Sequence, residues 1–163
     1  MTKAMPASEH VLALLVNAPT QIEAMTKGVD PELLRVSPAE GEWSTTDVLA
    51  HLRSCSDSWG SCMETMLIEE HPTIRAINPR TWIRRTNYGD LGFHESFAAY
   101  ATQRAELIAR LEMLSPADWE RSATITGAGA PLQRTVLFYA QWLARHERPH
   151  IKQIGRIVET VQQ

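Results

Sequence analysis

Residues 131–161, PLQRTVLFYAQWLARHERPHIKQIGRIVETV, decide the fold. Stepping through them by threes and fours picks out Leu132, Val136, Tyr139, Leu143, His146, His150, Ile154, Ile157 and Val161, the spacing of one stripe along an α-helix. Pro131 suits the first helical position, where an N–H has no intrahelical acceptor. Two histidines stand where the stripe calls for apolar residues. A helix with one apolar stripe must bury it against partners, and the rest of the chain supplies three.

Val11, Leu15, Ala18, Ile22, Met25 and Val29 repeat at the same spacings and predict a first helix, closed by Gly28 and Pro31. Pro19 lies inside it and cannot donate to the carbonyl of Leu15, which predicts a bend or break there. A second helix is expected at about 44–70, capped by Ser44 with Asp47 three residues on, and with Trp43 and Val48 as a hydrophobic staple. Its stripe is Val48, Leu52, Cys55, Trp59, Cys62 and Met66, and His71-Pro72 stops it. A third, at about 92–114, carries Phe93, Phe97, Tyr100, Arg104, Leu107, Leu111 and Leu114 in register and ends at Ser115-Pro116. Residues 71–92 and 115–131 show no sustained period and read as long connections, the second containing the Gly127-Ala128-Gly129-Ala130-Pro131 breaker. With no strand-like alternation, the expectation is an all-α four-helix bundle, one domain over residues 1–163, with long connections between helices 2 and 3 and between helices 3 and 4.

Composition narrows the function classes. The chain of 163 residues is 44% hydrophobic and 21% charged, which excludes a disordered or low-complexity protein. Its net charge is −3, with basic residues scattered, so a nucleic-acid surface is not expected. No apolar run reaches the roughly 18 residues of a membrane span, and the N-terminal Met1-Thr2-Lys3-Ala4-Met5-Pro6 lacks a signal-peptide apolar region; a cytoplasmic protein is the expectation. Cys55 and Cys62 fall two turns apart on one helix, roughly 10 Å, too far for a disulfide.

His146 and His150 are four apart and project from one helix face, a spacing at which two imidazoles share one metal ion. The bland alternative is one solvated and one half-buried histidine. His51, next to the Val48/Leu52 stripe, can face the same interior. Three imidazoles around a divalent cation satisfy ring nitrogens that burial would otherwise leave unpaired, and leave a coordination position open. Cys55, one turn after His51, permits a fourth donor that would close the tetrahedron, although it also fits the apolar stripe as a small hydrophobe.

The strings Gly41-Glu42-Trp43-Ser44 through Val48-Leu49-Ala50-His51-Leu52, and His146-Glu147-Arg148-Pro149-His150-Ile151-Lys152-Gln153-Ile154, resemble the two signature segments of the DinB-like metal-binding bundle family. The similarity extends to helix order, to the linker from His71-Pro72-Thr73 to Asn78-Pro79, and to Leu114-Ser115-Pro116-Ala117-Asp118-Trp119. It implies a divalent metal, most often zinc or nickel, on His51, His146 and His150. It also implies a metal-dependent thiol S-transferase acting with a low-molecular-weight thiol on an electrophile, as in bacillithiol and mycothiol S-transferases and thiol-dependent maleylpyruvate isomerase. Rival readings are a non-catalytic metal-binding bundle and a metal-dependent hydrolase. A homodimer through the bundle faces is a further expectation. Two features depart from the family pattern: Pro149 stands between the paired histidines, and Ser54 and Ser56 replace acidic residues after His51.

Among the remaining residues, His10, His71 and His94 are expected to be solvated. Arg75, Arg80, Arg84 and Arg85 in the first long connection could receive carboxylates of an anionic thiol. Trp82, Trp119 and Trp142 could line a pocket. Trp82, Arg84 and Arg85 are the expected substrate-binding residues. Glu147 should point about 100° away from its neighbour His146 and is a poor base for chemistry there.

Overall fold

The computed structural model describes residues 5–163. Four long helices, α1 (Ala7–Thr26), α2 (Thr45–Ile68), α4 (Phe93–Leu111) and α6 (Val136–Val161), form the bundle, with the single-turn helices α3 (Pro79–Trp82) and α5 (Pro116–Trp119) in the connections. Going round the bundle, α1 packs on α6, α6 on α2, α2 on α4 and α4 on α1.

Local chemistry sets the start of α2 and the end of α1 where the sequence placed them. At the start of α2 the Ser44 backbone N–H donates to Asp47 Oδ2 at 2.9 Å while the Asp47 N–H donates to Ser44 Oγ at 3.1 Å, a reciprocal capping box. Beyond α1, Gly28 has φ of +74°, the left-handed conformation that turns a chain out of a helix. Between them a 3₁₀ turn at Leu33–Arg35 is tied to α2, because Thr46 Oγ1 donates to the Leu34 carbonyl.

The connections differ from the expectation of irregular chain. Strands β1 (Thr73–Arg75), β2 (Ser122–Thr126) and β3 (Leu132–Thr135) make a small sheet in the order β1-β2-β3. β1 runs parallel to β2, pairing Ile74 with Ile125, and β2 runs antiparallel to β3, pairing Thr124 with Gln133. In β2, Ala123 and Ile125 are buried while Ser122, Thr124 and Thr126 are half-buried, the period of two expected of a strand packed on one face. Gly127, at φ +85°, opens the turn into β3, and a Cβ there would lie 3.2 Å from Arg75 Cγ.

The last helix consequently starts at Val136 rather than near Pro131. Thr135 is its N-cap, with Oγ1 accepting from the Phe138 N–H at 3.0 Å. Leu132 matched the helical stripe only by spacing. Arg121 joins the sheet to the bundle by donating to the Met66 and Glu69 carbonyls at the end of α2, where cations are favoured.

The core falls into two apolar clusters stacked along the bundle. One holds Val11, Leu15, Cys55, Met63, Val136 and Leu143; the other holds Ile22, Leu49, Leu52, Tyr100, Ile154 and Val158. Each fully buried aliphatic side chain contributes roughly 1.5–3 kcal/mol relative to exposure, so these clusters carry the stability.

Near the junction of the clusters lies a buried ion pair. Arg104 of α4 binds both carboxylate oxygens of Glu147 on α6, and Tyr100 Oη donates to Glu147 Oε1 at 3.1 Å. The same guanidinium donates to Ser56 Oγ on α2 and, at 3.0 Å, to the Leu15 carbonyl on α1. That carbonyl is the one Pro19 leaves without a helical donor, so α1 runs through its proline and the guanidinium supplies the missing hydrogen bond. One side chain therefore touches all three other long helices.

Candidate metal centre

About 100° round α6 from Glu147, His146 projects together with His150 towards His51 of α2. The i, i+4 spacing places the first two on one helix face, and the packing of α2 on α6 brings the third to them. Nε2 of His51 lies 3.1 Å from Nε2 of His146. Ring centroids are 5.3 Å apart for His51 and His146, 4.8 Å for His51 and His150, and 4.9 Å for His146 and His150. His51 is buried, His146 and His150 half-buried, so the cluster runs from the interior towards the surface.

The donor chemistry suits a divalent ion. Burial, then the neighbouring His150 and His146 and the charge of Arg80, bring the His51 pKa down to about 4. Burial, His150 and Arg80 likewise lower that of His146. Both rings are thus neutral at neutral pH, the form that binds metals. His150 Nδ1 lies 2.9 Å from Gln153 Oε1; with the proton on Nδ1 donated there, Nε2 keeps its lone pair for a ligand, the usual outer support of a metal-bound imidazole. Cys55 Sγ sits 3.6 Å from His51 Nε2, and donor atoms of His51, Cys55 and His146 all lie within 4.8 Å of one another, a set that has Cys55 in place of His150, whose ring lies beside it. α6 runs on through Pro149 with the histidines on either side of it.

Aromatic rings wall the cluster. Trp43 lies 5.2 Å from the His51 ring and is stacked at 6.3 Å from His150; Trp59 lies 5.0 Å from His146 and 5.9 Å from Trp142. Trp59 stands eight residues, about two turns, after His51 on α2, whereas Trp43 lies just before the Ser44 N-cap, outside the helix. The sequence reading gave Trp43 only a capping role and Trp59 only a core one. Trp142 is exposed, reaches the cluster only through Trp59 and lines neither the cavity beside Trp43 nor the groove between α1 and α6, whereas Trp119 is buried in the core beside the sheet.

Of the arginines, Arg80 comes nearest, its guanidinium 5.8 Å from the Trp43 ring, and it has no carboxylate partner among the described residues. Arg84 and Arg85 are exposed. Trp82 Nε1 donates to Asp57 Oδ2 at 2.9 Å, and Tyr88 and Gln103 also donate to that carboxylate. With Ser54 donating to the Pro79 carbonyl, Asp57 straps the connection of residues 79–90 to α2 and holds Arg80 in place. Ser54 and Ser56 thus serve the connection and Arg104.

His10 and His94 are exposed and away from the cluster; His71, also exposed, faces Ser122 and Thr124 of β2. A cavity of about 540 Å³ adjoins the outer edge of the cluster, sharing Trp43 and Gln153 with it. A larger groove of about 670 Å³ between α1 and α6 reaches none of the three histidines.

Comparison with known proteins agrees with this architecture. YfiT from Bacillus subtilis, described as a probable metal-dependent hydrolase with an unusual four-helix bundle topology, superposes with a TM-score of 0.73 at 17% identity, covering 96% of this chain and 90% of that one. A Geobacillus kaustophilus (strain HTA426) protein named "Putative metal-dependent hydrolase" is 23% identical over 153 residues, 89% of this chain and 82% of its own length. Residues 14–154, which run from within α1 to within α6 and include every histidine of the cluster, match the DinB superfamily, and the chain belongs to that family.

Proposed function

We propose that this protein is a divalent-metal-dependent enzyme in which His51, His146 and His150 hold the ion. The observation that carries the reading is the meeting of three imidazoles from two helices, two of them with pKa values lowered by burial and mutual proximity. A divalent ion supplies Lewis acidity there, which makes a nucleophile of water or a thiol near neutral pH. The chain's own residues do the rest. His51, from the interior, and Gln153, behind His150, fix the ring orientations; Trp43, against His51 and His150, and Trp59, against His146, shield the cluster from water. Arg80 offers an unpaired positive charge to an anionic group, and the connection that carries Trp82, Arg84 and Arg85 borders the substrate side.

The finer reading is transfer of a low-molecular-weight thiol to an electrophile, in a protein whose ion is zinc or nickel. The family resemblance and the anion-receptive Arg80 support it. Hydrolysis is the second reading, favoured by the names of both relatives. The experiment that separates them incubates zinc- and nickel-loaded protein with a monochlorobimane-type electrophile and a panel of thiols, beside a panel of ester and amide substrates without thiol. Thiol-dependent turnover abolished in His146→Ala supports transfer. Thiol-independent turnover with the same sensitivity supports hydrolysis and overturns the transferase reading. Turnover unaffected by His146→Ala overturns both.

A further inference from the structure

Cys55 lies one turn beyond His51 on α2, fully buried, with its sulfur directed at the histidine cluster rather than only into the apolar core. We propose that Cys55 Sγ is a fourth protein donor to the metal, alongside His51, His146 and His150; this rests on the metal site proposed above.

The argument is geometric. Around a tetrahedral ion with metal–nitrogen distances near 2.0–2.1 Å and a metal–sulfur distance near 2.3 Å, neighbouring donors stand about 3.3 Å apart for two nitrogens and about 3.6 Å for nitrogen and sulfur. The structure has 3.1 Å between His51 Nε2 and His146 Nε2, and 3.6 Å between His51 Nε2 and Cys55 Sγ. Two of the six edges of a four-donor polyhedron are therefore already drawn, both within the close set of His51, Cys55 and His146. The third, from Cys55 to His146, lies within 4.8 Å and has at most about 1.2 Å to close. The half-buried His146 ring can make that adjustment, whereas the buried Cys55 and His51 are held by the core.

The ligand step starts from the neutral thiol of a buried cysteine. Formation of the sulfur–metal bond replaces the S–H bond, and that proton leaves to the solvent. A thiolate among imidazoles favours zinc, cobalt, nickel or copper over magnesium, calcium and manganese. Four protein donors leave a substrate to enter at a fifth position, an expansion that catalytic zinc sites make.

The test is cobalt substitution. Metal-free wild type, Cys55→Ser and Cys62→Ser proteins are titrated with Co²⁺, following the visible ligand-field bands and the near-ultraviolet sulfur-to-cobalt charge-transfer band. Wild type and Cys62→Ser are expected to show both, and Cys55→Ser to lose the charge-transfer band and bind at least about tenfold more weakly. Ligand-field bands in the wild type without the charge-transfer band overturn the Cys55 proposal and leave the histidine site standing. A charge-transfer band lost in Cys62→Ser and kept in Cys55→Ser also overturns it. Absence of both bands in the wild type removes the metal site itself, and the proposal with it.

Discussion

His146 and Glu147 are neighbours on α6, yet the two sides of the helix they face are finished differently. On the Glu147 side every charge and hydrogen-bonding group meets a partner from the chain: Arg104, Tyr100, and through Arg104 the Leu15 carbonyl and Ser56. On the His146 side the ring nitrogens of His51 and His146 have each other and a thiol. Burying polar groups is tolerated when they are satisfied, so the first side is a structural joint and the second a candidate metal site. Glu147 stands about 100° round α6 from His146 and about 60° from His150, so the ion pair and the donor cluster adjoin on one helix, and what fixes the rotation of α6 at the first aims the histidines at the second.

The largest expected effect breaks the first side. Arg104→Ala leaves Glu147 buried without its cation and the Leu15 carbonyl without a donor, a loss of about 3–5 kcal/mol in denaturant unfolding. Exchanging both partners for apolar residues of similar volume should recover most of it. A loss below about 1 kcal/mol in the single variant would show that the pair does not hold the joint.

Next in size is stabilisation by metal on the second side. At a free zinc concentration a hundred times the dissociation constant, wild type should gain about 2.7 kcal/mol, read as a rise in Tm. His51→Ala, His146→Ala and His150→Ala should each lose that rise; His71→Ala and His94→Ala should keep it. Equal loss in both groups would refute the ligand assignment.

The smallest effect is on pH dependence. In the metal-free protein His51 titrates at about 4 when folded and near 6.5 when unfolded. The unfolded chain therefore takes up its proton first as pH falls, and stability is lost between about pH 6.5 and 4. From pH 7 to pH 5.5 the loss from this one group is about 1 kcal/mol. His51→Asn should flatten the profile over that window, whereas an unchanged slope would place its origin elsewhere.

Much of this was legible because helices announce themselves over several turns. The α2 cap, the positions of His51, His146 and His150, and the direction of Glu147 away from His146 all followed from periods of three and four. The sheet did not, because strands of three to five residues give too few alternations to compete with a helical stripe, and Leu132 happened to extend the stripe of α6. Arg104 stood in the apolar register of α4 as an anomaly, and Pro19 announced an unpaired Leu15 carbonyl. That the first answers the second depends on α1 packing against α4, which no local pattern contains. Arg80 was one of four arginines in a connection without period, and only the strap through Asp57 singles it out.

The central claim is that the histidine side of α6 is completed by a metal ion. The most direct test is metal content by inductively coupled plasma mass spectrometry on untagged protein equilibrated with zinc or nickel and then freed of loose metal, wild type beside His146→Ala. One equivalent in the wild type, lost in the variant, is the predicted result. A wild type that retains none, or a variant that retains as much, would contradict the account.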